Sequence, residues 1–260
     1  MRYARIRLDG RPVHAEIDGD IAHLLDGSPV DGKPRRTGSS VPLGGVDFLP
    51  PVIPGVFYAV GLNYRAHIEH YGKPVPDRPE VGYRANNALT GARLPIVKPA
   101  EVKGRFEAEG ELVAVIGRTL RRAGRAEAQE SILGWTIGND VSAREWQHHD
   151  RTFWRSKNSD TFKPMGPWIE TDVDPLVQTT TVRIDGVVKA EFATGDMVFD
   201  PFDYLVEMTK YLTLHPGDVL WMGADSTVQL EPGSTVDIEI TGIGTLSNPV
   251  VDERGTPHVQ

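Results

Sequence analysis

Short apolar runs recur along the whole chain, separated by Gly, Pro and Asp turn signals. Tyr3 to Leu8, Pro12 to Ile17 and Ile21 to Leu25 read as strands, with Gly10, Asp18-Gly19 and Asp26-Gly27 between them. They predict a small β-rich N-terminal module over residues 1–52, and Pro50-Pro51 and Pro54-Gly55 mark the boundary with a second domain over 53–260. Phe57 to Gly61 reads as the first core strand of that domain, and the polar, Pro-rich residues 62–80 as a loop, or a short helix followed by a loop. Further strands are expected at Trp135–Gly138, Thr179–Ile184, Val187–Phe192, Val219–Met222 and Thr235–Ile240. Residues 120–133, rich in Arg, Ala and Glu, read as a surface helix, and Pro201–Leu212 as a second that starts at an Asp200-Pro201 cap signal. Many short strands and few helices predict a β-dominated α+β fold rather than a doubly wound one.

The segment Phe106 to Gly117 carries the candidate chemistry. Val113 to Ile116 make it a strand, and a strand repeats its faces every two residues, so Glu109 and Glu111 project from one face. Carboxylates that close repel unless a cation lies between them or one takes a proton. Hard divalent cations prefer such oxygens. Asp140 follows in the acidic turn Gly138-Asn139-Asp140, after another apolar run, so Glu109, Glu111 and Asp140 form a candidate metal triad. Taken alone, such a pair is more often a solvated strand face. Glu107 shares its parity, and pattern does not choose two of the three.

Composition narrows the class. Hydrophobic content of 39% and charged content of 25% are those of a soluble globular protein with a sizeable core. A formal charge of −8 without a Lys/Arg cluster argues against a nucleic-acid surface. The absence of cysteine excludes disulfides, thiolate metal sites and a cysteine nucleophile. Neither a signal-peptide run nor a membrane span is present, so no membrane partner and a cytoplasmic location are expected.

Seven motifs in order resemble the fumarylacetoacetate hydrolase family over about residues 57–250. They are Gly61-Leu62-Asn63-Tyr64 with His67; Glu109-Gly110-Glu111-Leu112; and Asn139-Asp140-Val141-Ser142-Ala143-Arg144 with Gln147. Lys157 with Asp160-Thr161-Phe162, Gly166-Pro167-Trp168, Leu214 to Val219 and Gly242 to Asn248 complete the set. The resemblance implies a mixed β-roll or sandwich, usually paired as a homodimer, with Mg²⁺, Mn²⁺ or Ca²⁺ on two Glu and one Asp. It assigns Glu109 and Glu111, not Glu107, as ligands beside Asp140. Members act on small oxo-acids by C–C hydrolysis, decarboxylation or keto–enol isomerisation, often in aromatic catabolism.

By the same resemblance His67 is the general base on a lid and Lys157 stabilises a substrate oxyanion. Gln147 and Tyr64 contact substrate, and Arg84 stands where many members have a lysine and suits a carboxylate. Besides Arg84, two departures stand out. Hydrolytic members often pair the histidine with a glutamate three positions later, where this chain has His70, preceded by Glu69. Ala224 replaces a frequent threonine. His148-His149-Asp150 reads as a solvated turn rather than a metal cluster, with Arg151 and Arg155 as candidates for the acidic end of a substrate. Asp196 reads as a structural turn residue. The expected activity is metal-dependent hydrolysis of acylpyruvate-type C–C bonds. The alternatives are an isomerase or decarboxylase of a 2-oxo or 2-hydroxy-diene dicarboxylate, or a silent oxo-acid-binding relative.

Overall fold

The computed structural model describes residues 1–255. The first quarter forms strands β1 (Arg2–Leu8), β2 (Arg11–Asp18), β3 (Ile21–Leu25), β4 (Arg36–Pro42) and β5 (Asp47–Leu49). Then come β6 (Phe57–Val60), helix α1 (Arg65–His70), β7 (Val81–Tyr83), β8 (Leu89–Thr90) and β9 (Ile96–Lys98). The middle of the chain carries β10 (Phe106–Ala108), β11 (Gly110–Ile116), α2 (Arg125–Ser131), β12 (Ile132–Asn139), β13 (Ser142–Ala143), α3 (Arg144–Gln147) and β14 (Lys163–Glu170). The last third holds β15 (Thr179–Ile184), β16 (Val187–Ala193), α4 (Pro201–Met208), β17 (Val219–Trp221), β18 (Val228–Gln229), β19 (Thr235–Ile240) and β20 (Gly244–Asp252). The fold is strand-dominated α+β, as the sequence predicts.

Twelve strands form the main sheet, ordered β4-β3-β2-β1-β14-β12-β11-β17-β6-β7 with β5 on β1 and β8 on β14. A five-stranded sheet, β16-β15-β19-β20-β9, packs across it, and β13-β10-β18 form a small third sheet. The N-terminal strands continue the main sheet through β1, whose Arg2 and Tyr3 pair with Glu170 and Ile169 of β14.

Strand β11 is buried along its whole length, which explains its apolar run. Its even positions, Leu112, Ala114 and Ile116, join the large core between the sheets. Its odd positions, Val113 and Val115, join a second core with Phe57, Met165, Val219 and Trp221. Gly110 shares the even face, where an added Cβ would lie 3.0 Å from side-chain carbons of Val182 and Ile238. The glycine between the two glutamates therefore lets the sheets close together. Gly138, opposite Glu111 in the register, leaves room for the Trp221 ring, which a Cβ would meet at 2.5 Å.

Three expected elements differ. The helix expected over 120–133 is α2 alone, because Leu120 pairs with Leu214 as an isolated bridge and Ile132 enters β12. Helix α4 starts at the Asp200 cap, whose carboxylate accepts from the Phe202 and Asp203 amides, but ends at Met208. The strand expected through Phe106 to Gly117 breaks at Glu109 and divides between the small and main sheets.

Candidate metal centre and its cationic wall

The break at Glu109 builds the site. The Asp140 amide donates to the Glu109 carbonyl at 3.0 Å, tying the turn after β12 to the turn before β11. Glu109, Glu111 and Asp140 each offer a carboxylate oxygen within 4.8 Å of the others, and all three are buried. Glu107 turns away and accepts from Arg144 Nε at 2.7 Å. The parity tie is thus resolved by the break, which leaves Glu107 in the small sheet.

The three carboxylates differ in environment. Both oxygens of Asp140 face cations: Lys157 Nζ and Arg84 Nη2 at 2.7 and 3.0 Å from Oδ2, and Lys163 Nζ at 2.6 Å from Oδ1. Burial opposes its ionisation, but Arg84, Lys157 and Lys163 hold its pKa well below the carboxylate range. Glu109 accepts from Lys157 at 3.2 and 3.3 Å and from Arg144 Nη2. Against its burial, these two cations draw its pKa down to about 2. Glu111 has no such partner. Its Oε2 accepts the Gly223 amide at 2.8 Å, and its buried Oε1 has no hydrogen-bond partner among the described residues. Burial first, then the charges of Asp140 and Glu109, push its pKa well above the usual value.

An unsatisfied buried carboxylate oxygen beside two ionised ones is the donor set that a hard divalent cation completes. The three residues fit such an ion. Lys163, fully buried at the start of β14, also donates to the Val141 and Phe162 carbonyls, and burial brings its pKa down to about 7. Sequence reading missed Lys163, and gave Arg144 no role although it closes the quoted Asn139-to-Arg144 motif.

His67 lies on α1, buried, with Nδ1 2.7 Å from the Ala224 carbonyl. A carbonyl only accepts, so Nδ1 carries the proton in the neutral ring and Nε2 is left as the base. Glu111 and His67 are thus fixed by consecutive residues, Gly223 and Ala224. His67 is also near enough to help keep Glu109 ionised. Neither Glu69 nor His70 backs it, since both are exposed. Burial raises the pKa of half-buried Asp225, and nearby His67 only partly offsets it.

Other expected site residues fall elsewhere. Tyr64 is buried, and its hydroxyl donates to the Thr194 carbonyl at 2.9 Å while its ring meets Phe192. That hydroxyl spends its proton on a backbone carbonyl of the fold. Gln147 is half-buried at the end of α3, near the Arg144 guanidinium at 3.5 Å. In His148-His149-Asp150 the histidines are exposed as expected, but Asp150 is buried and accepts from the Trp154, Arg155 and Ser156 amides. It organises the loop leading to Lys157. An open groove of about 1030 Å³, lined by Tyr83, Arg84, Trp154, Arg155 and Asn158 among others, reaches Asp140 through Arg84. Arg155 lines this groove and stacks on Trp146, whereas Arg151 is exposed.

Comparison with known proteins agrees with this architecture. Residues 1–51 match the family model "Rv2993c-like, N-terminal". Among curated proteins, Protein Rv2993c of Mycobacterium tuberculosis is 38% identical over 99% of this chain and 100% of its own length. A solved 5-carboxymethyl-2-hydroxymuconate delta-isomerase from Mycobacterium smegmatis superposes with a TM-score of 0.88 at 38% identity, over 97% of this chain and 100% of that one. A 2-hydroxyhepta-2,4-diene-1,7-dioate isomerase from Mycobacterium marinum gives the same score and identity over 98% and 100%. Residues 56–251 match the fumarylacetoacetate (FAA) hydrolase C-terminal model, and the chain belongs to the fumarylacetoacetate hydrolase family.

Proposed function

We propose that this chain is a divalent-metal-dependent isomerase of a 2-oxo or 2-hydroxy-diene dicarboxylate. The observation that carries the reading is the shared turn: Gly223 holds Glu111 and Ala224 holds His67, so an imidazole with Nε2 uncommitted to that turn lies near the carboxylate triad. The two mycobacterial relatives with isomerase names support it.

A divalent ion on Glu109, Glu111 and Asp140 would supply Lewis acidity toward the enol and carboxylate oxygens of the substrate. His67 Nε2 takes the proton from the substrate hydroxyl as the C2 carbonyl forms. It returns that proton to the far carbon of the conjugated system as the double bonds shift, so one O–H is exchanged for one C–H. Lys157 Nζ places positive charge where the enolate develops. Arg84, between the groove and Asp140, offers a planar fork to a substrate carboxylate. The homodimer implied by the resemblance belongs to the same proposal, and sedimentation reads it.

The hydrolase expected from the sequence is the second reading. It requires an activated water, and the residues nearest the lid-glutamate position, Glu69 and His70, are exposed. A 2-hydroxy-2,4-diene dicarboxylate with Mn²⁺ tests the choice. Loss of the diene chromophore without C–C cleavage products supports isomerisation. Cleavage of an acylpyruvate with no diene turnover overturns it in favour of hydrolysis.

A further inference from the structure

Helix α1 ends in a way that fixes one more side chain in the site. Gly72 adopts a left-handed φ of 59°, its amide donates to the Glu69 carbonyl at 2.9 Å, and the Lys73 amide reaches Ile68 at 3.1 Å. This paired closure is what a left-handed glycine allows at a helix end. It holds the preceding residue, Tyr71, whose amide donates to the His67 carbonyl at 3.3 Å. The Tyr71 ring lies 5.1 Å from the His67 ring, tilted by 37°, and meets His70 edge-on on the other side.

The Tyr71 hydroxyl is buried and has no hydrogen-bond partner among the described residues. Arg144 is close enough to feel the phenol, yet its guanidinium is already spent on Glu107 and Glu109. A hydroxyl donor is therefore held beside the base and the Arg144–Glu109 pair, with no acceptor for it among the described residues. Buried hydroxyls are rarely left so.

We propose that Tyr71 contacts the substrate, donating its hydroxyl hydrogen bond to a carboxylate or enolate oxygen of the bound oxo-acid beside His67. The proposal rests on the oxo-acid reading above. It adds a specificity residue: an anionic oxygen gains from the phenol, whereas a methyl or hydrogen at that place leaves it unsatisfied.

The test is calorimetric titration of oxalate, a planar dianion that mimics an enolised 2-oxo acid, into the Mn²⁺-loaded protein and its Tyr71→Phe variant. The phenylalanine keeps the ring on His67 and removes only the donor. Oxalate affinity is expected to fall about tenfold to a hundredfold, as for a hydrogen bond to a charged group. Mn²⁺ affinity and the melting temperature should hold. Unchanged oxalate affinity in Tyr71→Phe overturns the proposal, as does wild-type protein that takes no oxalate. So does a loss seen in Tyr71→Ala but not in Tyr71→Phe, which would reduce Tyr71 to ring packing. Oxalate binding is read without turnover, so a wild type that binds it yet isomerises no diene sinks the proposed function and still lets Tyr71 be decided.

Discussion

Glu109 and Glu111 stand two residues apart with opposite pKa shifts: both oxygens of Glu109 face Lys157 Nζ, whereas Glu111 Oε1 has no hydrogen-bond partner among the described residues. Without a cation the second glutamate holds its proton more tightly than the first. Replacing Glu111 by Gln should therefore leave the metal-free fold intact or slightly more stable and remove the metal site. In melts with added Mn²⁺, the wild type should gain stability and Glu111→Gln should not. Equal Mn²⁺-induced shifts in both would remove Glu111 from the ligand set.

The same pair sets a pH dependence of metal-free stability. Glu111 has a raised pKa, so the folded chain binds its proton more tightly than the unfolded one; stability declines as pH rises from 4.5 through the raised value. Glu109, lowered from 4.5 to about 2, contributes stability that is full above 4.5 and lost as pH falls toward 2. Melts in EDTA should therefore show wild-type stability falling from mildly acidic pH toward about pH 7, with a smaller fall in Glu111→Gln. Above about pH 7, Lys163, lowered from 10.5 to about 7, adds stability as pH rises in both. Mn²⁺ binding should release a proton from the wild type and weaken in acid, measured as buffer-dependent heats of titration.

Removing Lys157 strips a shared cation from Glu109 and Asp140. Breaking a buried pair costs about 3–5 kcal/mol, so Lys157→Met should melt well below the wild type in EDTA. Divalent ion should restore much of that loss, because it supplies the missing positive charge, whereas turnover should stay depressed. A variant as stable as the wild type in EDTA would contradict the pairing.

His67→Gln should lower turnover by about 10²–10⁴, the usual contribution of a positioned acid–base group, while leaving Mn²⁺ affinity unchanged. Parallel losses of both would make His67 a structural support of the Gly223–Ala224 turn instead.

Arg84→Lys retains charge but not the fork. The KM for a dicarboxylate should rise about tenfold, from loss of one charge-assisted hydrogen bond, and that for a monocarboxylate analogue should move less. Steady-state kinetics on the two substrates checks this, and equal shifts would place Arg84 on Asp140 alone.

The sequence made the triad legible because Glu109 and Glu111 keep strand parity and Asp140 closes the next strand. Parity did not separate Glu107, because the decisive event is a chain break at Glu109, and no residue-level pattern announces which sheet each half joins. Lys163 was hidden for a related reason: its partner lies 23 positions back, and lysine in an apolar strand carries no periodic signal. Asp150 was misplaced because it is polar in polar surroundings, and only packing shows that it is buried on backbone amides. The strands that were read fall mostly within a residue or two, since their alternation is local, whereas β4, β14 and β20 were not read at all. Helix 120–133 was overcounted at both ends because Leu120 and Ile132 answer to distant strands.

Asp150 turns the segment before Lys157 into a preset frame. Three consecutive amides converge on its carboxylate, and the Lys157 amide and the Asn158 side chain both close on the Phe153 carbonyl. The exposed side chains of Thr152 and Trp154 border the groove without sharing in those bonds. The loop therefore separates two tasks: its backbone fixes the ammonium at the triad, while the outward side chains of Thr152 and Trp154 face the groove. A family with such a loop can change which acid it admits without rebuilding the place where the acid reacts.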